Sequence, residues 1–345
     1  MEDSVNSQSR NNKESSKRKN TLGCAWQLLD YIAVLRPTLL FPVWTLVLLG
    51  HYRSSAHAFH SLKIGNLGLE IPVNLSLNPR VWTTLGLYSM LSGAAYIINQ
   101  ISDRKTDRAN NKLYLVANGY VKLPLVKLEA SLLCFGSIVW AITQFHHNTG
   151  YLSLIAISLA LGWIYSMPPI RLKARPVLDL LANAIGYGCI AFLIGWTTTS
   201  TLDPDALQQA IPYVFCVGAA FVNTTLPDIK GDQAHGDLTI GILLGLKRSC
   251  QLSLVLLGLA ISSAWLLQDM IVFITSVICF PFFLYMNIKP TRRIIILATR
   301  VGILVLSLIT CMVIPLYFVL FVTALLSVRW YYGIRFGIAY PSPKA

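Results

Sequence analysis

An asparagine and two aspartates recur at every fourth position where a long apolar run ends. Asn99 lies near the end of the apolar segment 81–101, and Asp103 and Asp107 follow it. Residues four apart lie on one face of an α-helix, so the three side chains project together if the helix of that segment continues. Carboxylate and amide oxygens are suitable ligands for hard divalent cations. The spacing therefore indicates a metal site at the end of a helix.

A second pair of aspartates with the same spacing follows a later apolar run. Asp228 and Asp232 come directly after the segment 208–226. Mg²⁺ is usually held by one or two protein carboxylates, while water and substrate phosphate oxygens complete its octahedron. Two facing acidic helix ends would thus bind a diphosphate through the metal. The alternative is that these acids mark the membrane boundary and pair with neighbouring bases, but the repeated spacing weighs against it.

A third polar stretch carries only bases. Arg171, Lys173 and Arg175 follow Pro168 and Pro169, which are expected to end a helix. Arg and Lys on phosphate oxygens stabilise a leaving diphosphate as negative charge develops on it. Taken alone, the three bases are better explained as an ordinary cytoplasmic loop. Their convergence with the acidic motifs favours the catalytic interpretation.

The composition excludes an ordinary soluble domain. Of the 345 residues, 54% are hydrophobic and only 12% are charged, and the mean hydropathy is +0.58. These values indicate a polytopic membrane protein embedded in the lipid bilayer. The net charge of +13 is explained by Lys and Arg retained on the cytoplasmic side, so we predict no nucleic-acid partner. The seven cysteines stand singly and indicate neither a disulfide framework nor a metal site.

Ten apolar segments follow the polar N-terminal stretch. Segments of this kind are long enough to cross about 30 Å of hydrocarbon as helices. The last two form one nearly continuous stretch with Pro315 as the expected break, so nine and ten spans both remain open. The segments are 26–50, 81–101, 124–145, 150–166, 177–198, 208–226, 249–267, 270–287, 294–312 and 313–330.

Basic residues are distributed unevenly between the two ends of these segments. Most of them lie in the N-terminal tail, in the second, fourth, sixth and eighth connections, or after the last segment. Because Lys and Arg are retained inside, this pattern predicts a cytoplasmic N-terminus and places both acidic motifs and the basic loop in the cytoplasm. Residues 1–22 are predicted to form a disordered basic cytosolic tail, and no signal peptide is expected.

The three motifs together resemble the UbiA superfamily of intramembrane prenyltransferases. The resemblance implies one transmembrane domain at 23–332 with a short tail at 333–345. It implies an all-α bundle of nine core transmembrane helices, leaves a tenth C-terminal span open, and has the two Asp motifs facing a central cavity. The stretches that carry it are Asn99-x-x-x-Asp103-x-x-x-Asp107, Asp228-Ile-Lys-Gly-Asp232 and Tyr165-Ser-x-Pro-Pro-x-Arg-Leu-Lys-x-Arg-Pro176.

The resemblance also implies a reaction. Members of the superfamily bind an isoprenoid diphosphate through Mg²⁺, ionise it to an allylic cation and transfer the prenyl group to a lipophilic acceptor. No obligate protein partner is implied. The catalytic residues carried over are Asp103, Asp107, Asp228 and Asp232. The metal ligands carried over are these four aspartates and Asn99. The residues expected to bind the diphosphate are Asn99, Arg171 and Lys173.

The chain departs from the family pattern beside both motifs. Many relatives have Asp directly after the motif Asn, where this chain has Gln100, and an acid three residues before Asp228, where it has Thr225. Relatives also commonly show an Arg-Pro pair within the stretch that is 111–119 here. The minimal metal-binding pattern is intact, while the resemblance leaves the acceptor open.

Two other functions remain open. A membrane terpene cyclase of the same fold would share the ionisation step and need no external acceptor. An ion-coupled transporter fits less well, since transporter acids usually lie near the bilayer midplane and these lie at cytoplasmic helix ends. His235 and Asp237, within the second motif, are interpreted as secondary polar residues. Aromatic residues that could stabilise a cation through their π faces, although packing explains each of them better, are Tyr88, Tyr96, Trp140, Trp163, Tyr187, Phe215 and Phe221.

Overall fold

The computed structural model describes residues 26–55, 60–64, 69–73, 76–109, 115–234 and 236–340. Within them, ten helices are long and apolar enough to cross a membrane. Their bounds, in chain order, are α1 Trp26–Ser55, α2 Pro79–Ser102, α3 Leu123–Phe145, α4 Thr149–Ser166, α5 Leu178–Trp196, α6 Pro204–Asp228, α7 Ile240–Leu266, α8 Met270–Ile288, α9 Arg292–Val313 and α10 Pro315–Phe336. The chain is therefore a multi-pass integral membrane protein built from helices.

The last apolar stretch divides into two helices, as the proline predicts. Helix α9 ends at Val313 and α10 begins at Pro315, which takes the first helical position, where a missing N–H costs nothing. The tenth span left open by the sequence is thus a separate helix. It runs to Phe336, so the predicted boundary at residue 332 falls within its last turns. The predicted N-terminal tail lies outside the described residues.

One predicted boundary is wrong by several residues. Helix α7 begins at Ile240, whereas the apolar pattern placed its start at residue 249. Lys247 and Arg248 interrupt the apolar run, and Gly245 adopts φ +70° inside the helix and produces a kink. The sequence pattern therefore detected only the part of α7 that follows the kink.

The even-numbered helices from α2 to α8 begin with side-chain caps. The carboxamide or carboxylate oxygens of Asn78, Asn148, Asp203 and Asp269 accept hydrogen bonds from backbone N–H groups of the first helical turn, at 2.8–3.1 Å. An N-cap of this kind satisfies donors that have no partner within the helix. These polar residues end each preceding connection and fix where the next helix starts.

Contacts between connections distinguish the two ends of the bundle. Asn148, between α3 and α4, donates to the Thr197 carbonyl just after α5 at 3.0 Å. Arg53, near the end of α1, donates to the Leu267 carbonyl after α7 at 3.1 Å. Ser54, in the last turn of α1, lies 2.6 Å from the Thr199 hydroxyl after α5, which joins these two pairs of helix ends. The odd-numbered helices from α1 to α7 therefore end on the same side. Strands β1 His60–Ile64 and β2 Leu69–Val73 pair antiparallel in the connection between α1 and α2 on that side.

Helix α1 occupies the centre of the bundle and packs closely on α5. Every residue from Val43 to Tyr52 is buried, as expected for a helix that is apolar on all sides. Gly50 of α1 and Gly195 of α5 lie where the two backbones meet, and a Cβ on either would overlap a carbonyl oxygen of the other helix. The absence of side chains at these two positions allows the close approach.

Gly195→Ala is expected to destabilise the bundle, because the new methyl group would overlap the Val47 carbonyl oxygen and force α1 and α5 apart. Overpacking of this kind costs about 1–3 kcal/mol. Thermal unfolding in detergent measures the effect. Gly258→Ala in α7 is the matched control, since no atom lies within 4 Å of the new methyl group. Equal melting temperatures for the two variants would contradict this packing.

Candidate active site

The first motif keeps its helical spacing through a turn at Asp103. Asp103 caps the C-terminus of α2, and its N–H donates to the Asn99 carbonyl at 2.9 Å. A short helix, Arg104–Ala109, follows directly. The Asp107 N–H donates in turn to the Asp103 carbonyl at 2.8 Å. Asn99, Asp103 and Asp107 therefore follow one another at successive turns, as the sequence predicts.

The second motif has the same construction at the end of α6. A single turn of 3-10 helix, Leu226–Asp228, closes α6, and the short helix Ile229–Ala234 carries Asp232. The Asp232 carbonyl accepts a hydrogen bond from the Asp237 N–H at 3.1 Å. Both motifs thus consist of the end of a long helix, a turn and one short helix. His235 lies outside the described residues.

A cavity of about 610 Å³ opens within the bundle. Its described lining is mainly apolar, and it contains one residue from each acidic motif, Asn99 and Asp228. The other motif aspartates and the two bases Arg171 and Lys173 are not among the described lining residues. The structure therefore brings one member of each motif to a common cavity, whereas the joint action of all five residues stays a prediction.

The basic loop contacts the acids of both other connections. The Lys173 ammonium lies 2.5 Å from Asp103 Oδ1, and an Arg171 guanidinium nitrogen lies 3.6 Å from the same atom. Arg171 also pairs with Asp237 at 3.0 Å. Connections after α2, α4 and α6 are therefore joined by ion pairs at one end of the bundle. Asp237, interpreted from the sequence as secondary, is part of this cluster.

Burial alters the acidity of the Lys173 ammonium. Removal from water lowers the pKa of Lys173, and the adjacent Asp103 carboxylate opposes that shift. The side chain of Lys173 is only 10% exposed. Its charge is therefore held mainly against one carboxylate, and an anion brought to this end of the bundle would give it a second partner.

Sequence reasoning missed two charged residues near the site. Arg36 lines the cavity at the break in α1, where its backbone is left-handed with φ +53°. Asp179 is 1% exposed, and its carboxylate accepts hydrogen bonds from the N–H groups of Ile240 and Leu180, both at 2.8 Å. Asp179 thereby ties the start of α7 to α5. The available signal was a charge inside an otherwise apolar segment.

Two of the departures from the family pattern lie in packed surroundings. The Gln100 amide is buried and donates to the Val34 carbonyl at 2.7 Å, which ties α2 to α1. The buried Thr225 hydroxyl donates to the Val222 carbonyl within α6 at 2.8 Å. Neither residue is among the described lining of the cavity. Both positions therefore contribute to helix packing.

The aromatic candidates divide into two groups. Tyr88, Tyr96, Tyr187 and Phe221 line the cavity. Trp140, Trp163 and Phe215 are not among its described lining residues, so the structure gives them no contact with the cavity.

The Asn99 amide donates to the Ser166 hydroxyl at 3.2 Å, which orients the motif asparagine against the end of α4.

The side-chain oxygens at the polar end of the cavity are suitable ligands for a metal that a bound substrate also ligates. No cluster of three or more His, Cys, Asp and Glu that could hold a metal occurs within the described ranges. Mg²⁺ does not require such a cage, since one or two carboxylates and substrate phosphates usually hold it. Asn99 and Asp228, at the same cavity, supply an amide and a carboxylate oxygen of this kind.

Comparisons with known proteins agree on one family. The sequence model of the UbiA prenyltransferase family matches residues 64–294. Probable homogentisate phytyltransferase 2 of Oryza sativa subsp. japonica is 28% identical over 207 residues, which is 55% of this chain and 54% of the relative. Chlorophyll synthase of Arabidopsis thaliana is 27% identical over 164 residues, 45% of this chain and 41% of the relative. The chain thus spans about half the length of these curated relatives.

A solved structure has the same fold. The structure of a UbiA homolog from Archaeoglobus fulgidus bound to DMAPP and Mg²⁺ superposes with a TM-score of 0.57 at 18% identity. The match covers 81% of this chain and 99% of that one. At this identity the likeness establishes the arrangement of the helices, which agrees with the all-α bundle expected from the sequence.

Proposed function

Because the chain belongs to the UbiA prenyltransferase family, we propose that it transfers a prenyl group from an isoprenoid diphosphate to a lipophilic acceptor within the membrane. One observation carries the proposal. A mainly apolar cavity has Asn99, Asp228 and Arg36 among its lining residues. Such a cavity accepts a molecule with one charged end and a long apolar chain, which describes a prenyl diphosphate.

Magnesium is the proposed cofactor. Bound Mg²⁺ would neutralise the diphosphate and make it a better leaving group. Asn99, Asp103 and Asp107 on one side and Asp228 and Asp232 on the other are the proposed ligands. The set of oxygen ligands supports this assignment, as does the structure of the Archaeoglobus fulgidus homolog bound to DMAPP and Mg²⁺.

Lys173 and Arg171 are proposed to receive the leaving diphosphate. Both already lie against Asp103, at 2.5 and 3.6 Å. When a cation engages Asp103, their charges become available to phosphate oxygens at the same place. Charge-assisted hydrogen bonds from Arg and Lys would then grow stronger as the C–O bond breaks and negative charge collects on the diphosphate.

The rest of the cavity is proposed to protect the allylic cation. Ionisation leaves a positive fragment that reacts with water on contact, so its surroundings must be dry. Apolar side chains from several helices line the cavity below its polar end. Two plant relatives, a probable homogentisate phytyltransferase and a chlorophyll synthase, support an acceptor of lipophilic character.

The polar end of the cavity is proposed to face the cytoplasm. The ion-paired connections after α2, α4 and α6 lie at one end, and the sequence places most Lys and Arg at that end. The positive-inside rule then assigns it to the cytoplasm. The N-terminus would lie on the same side.

Asp103→Ala and Asp228→Ala are each expected to reduce diphosphate release at least about 100-fold, because each removes a charged group that acts on the transition state. The measurement is release of inorganic diphosphate from geranylgeranyl diphosphate with Mg²⁺ and membrane lipid extract as the acceptor source. Asp205→Ala is the control, since Asp205 lies in the first turn of α6 at the opposite end of the bundle.

Wild-type turnover in both site variants, with unchanged melting temperatures, would contradict the assignment. Product analysis in the same assay separates transferase from cyclase. A prenylated lipid supports transfer, whereas a hydrocarbon or alcohol formed without the extract would support the cyclase and overturn transfer.

Arg171→Ala is expected to lower kcat/KM for the prenyl diphosphate roughly 10- to 100-fold, the range for loss of a hydrogen bond to a charged group. Arg175→Ala is the matched control in the same loop, because Arg175 is exposed and donates to the Pro169 carbonyl. Steady-state kinetics at saturating Mg²⁺ measure both. Equal losses in the two variants would show that loop charge alone matters and would refute a role for Arg171 at the diphosphate.

A further inference from the structure

A tyrosine pair lines the cavity just below its polar end. Tyr96 of α2 and Tyr187 of α5 both line it, and their hydroxyl oxygens are 2.9 Å apart. Tyr96 lies three residues before Asn99, an axial rise of about 4.5 Å along the helix. The carbons next to the diphosphate of a bound substrate would lie at the same depth.

The backbone of α5 places Tyr187 there. Residues Ala184–Ala191 form a π-helix between two α-helical segments of α5. Such segments are rare and occur frequently at functional sites, because the wider turn displaces side chains from α-helical positions. Tyr187 lies within this segment and reaches the Tyr96 hydroxyl across the bundle.

The hydrogen bonds fix the direction of both hydroxyl groups. The Tyr96 hydroxyl donates to the Leu39 carbonyl at 3.1 Å. A phenol has one hydrogen, so Tyr96 can only accept from Tyr187 when both contacts are hydrogen bonds. The two hydrogen bonds therefore run from Tyr187 to Tyr96 and from Tyr96 to the Leu39 carbonyl, which cannot pass a proton onward. With its hydrogen committed to Tyr96, the Tyr187 hydroxyl has only the lone pairs of its oxygen to offer to a molecule in the cavity that it lines.

We propose that Tyr187 is a catalytic residue that stabilises the allylic cation, and that Tyr96 is the residue that positions it. The proposal rests on the proposed function. In the step concerned, the bond between C1 and oxygen breaks, the electron pair leaves with the diphosphate, and a positive allylic fragment remains. A phenol oxygen whose dipole is already oriented stabilises this charge without reorganisation. The π face of the Tyr187 ring also attracts the positive fragment.

A stable positive probe tests the proposal without turnover. Geranyl dimethylammonium resembles the cation, and geraniol is its neutral counterpart. Both are titrated into the protein with Mg²⁺ and inorganic diphosphate, and the ratio of the two Kd values reports preference for charge. The wild type is expected to prefer the ammonium ion. Tyr187→Phe is expected to reduce that preference roughly tenfold.

The Tyr96 variant tests whether the direction of the Tyr187 hydroxyl dipole determines the preference for charge. In Tyr96→Phe the Tyr187 hydroxyl loses its acceptor, so its hydrogen turns toward the cavity and repels the positive probe. The charge preference is expected to fall further than in Tyr187→Phe. The double variant removes that hydrogen and is expected to return to the level of Tyr187→Phe. Purely structural losses would instead accumulate in the double variant, which would overturn the proposal.

Tyr151→Phe is the matched control. Tyr151 is fully buried and its hydroxyl donates to the Thr84 hydroxyl at 3.2 Å, but it is not among the described lining residues of the cavity. Its variant is expected to keep the wild-type preference. A full preference in Tyr187→Phe, or an equal loss in Tyr151→Phe, would overturn the proposal.

Kinetics separate this inference from the proposed function. For diphosphate release, Tyr187→Phe is expected to lower kcat while KM stays constant, since the charge exists only in the transition state. Failure of the wild type to release diphosphate would contradict the proposed function. The ammonium preference is measured independently, and its absence in the wild type would overturn the role of Tyr187.

Discussion

The ion pairs of Arg171 and Lys173 with Asp103 and Asp237 connect three parts of the chain that are far apart in sequence. Lys173 and Asp103 are separated by 70 positions. Charges near a membrane are costly unless they are paired or solvated. The ion pairs therefore hold the connections after α2, α4 and α6 together at one end of the bundle. Through these ion pairs, the basic loop contacts both the connection that carries Asp103 and the one that carries Asp237.

In the proposed function, the same charges would serve both the empty site and the site with substrate bound. Asp103 and Asp237 are each paired with a base, and burial lowers the pKa of the Lys173 ammonium while Asp103 opposes the change. A divalent cation is positively charged like the bases of these ion pairs, and a diphosphate is negatively charged like their acids. Binding can therefore exchange partners without leaving a charge unpaired, which is the costly outcome in a low dielectric.

The cavity has a polar end and an apolar body because of the fold around it. Asn99 and Asp228 close the ends of α2 and α6, whose preceding turns are apolar. Helix α1 reaches the site at its own break, where Arg36 adopts a left-handed conformation. In the proposed reaction, the charged groups at the diphosphate and the apolar surroundings of the cation would thus lie one or two helical turns apart.

Much of this arrangement could be predicted from the sequence, since apolar length and proline position are local properties. They predict nine helices and, at the Pro315 break, a possible tenth that the structure forms, and the regular spacing of Asn99, Asp103 and Asp107 persists in the structure. The left-handed Arg36, the buried cap from Asp179 to Ile240 and the π-helix around Tyr187 depend on tertiary contacts. No local pattern specifies them.

The central claim is that acids from two separate connections bind a prenyl diphosphate through a shared metal. Calorimetric titration with geranyl thiolodiphosphate, which resists ionisation, tests it most directly. The account predicts binding in Mg²⁺ that weakens roughly tenfold or more on chelation in the wild type, and a smaller effect of chelation in Asp228→Ala. Equal affinity with and without Mg²⁺ in the wild type would contradict it.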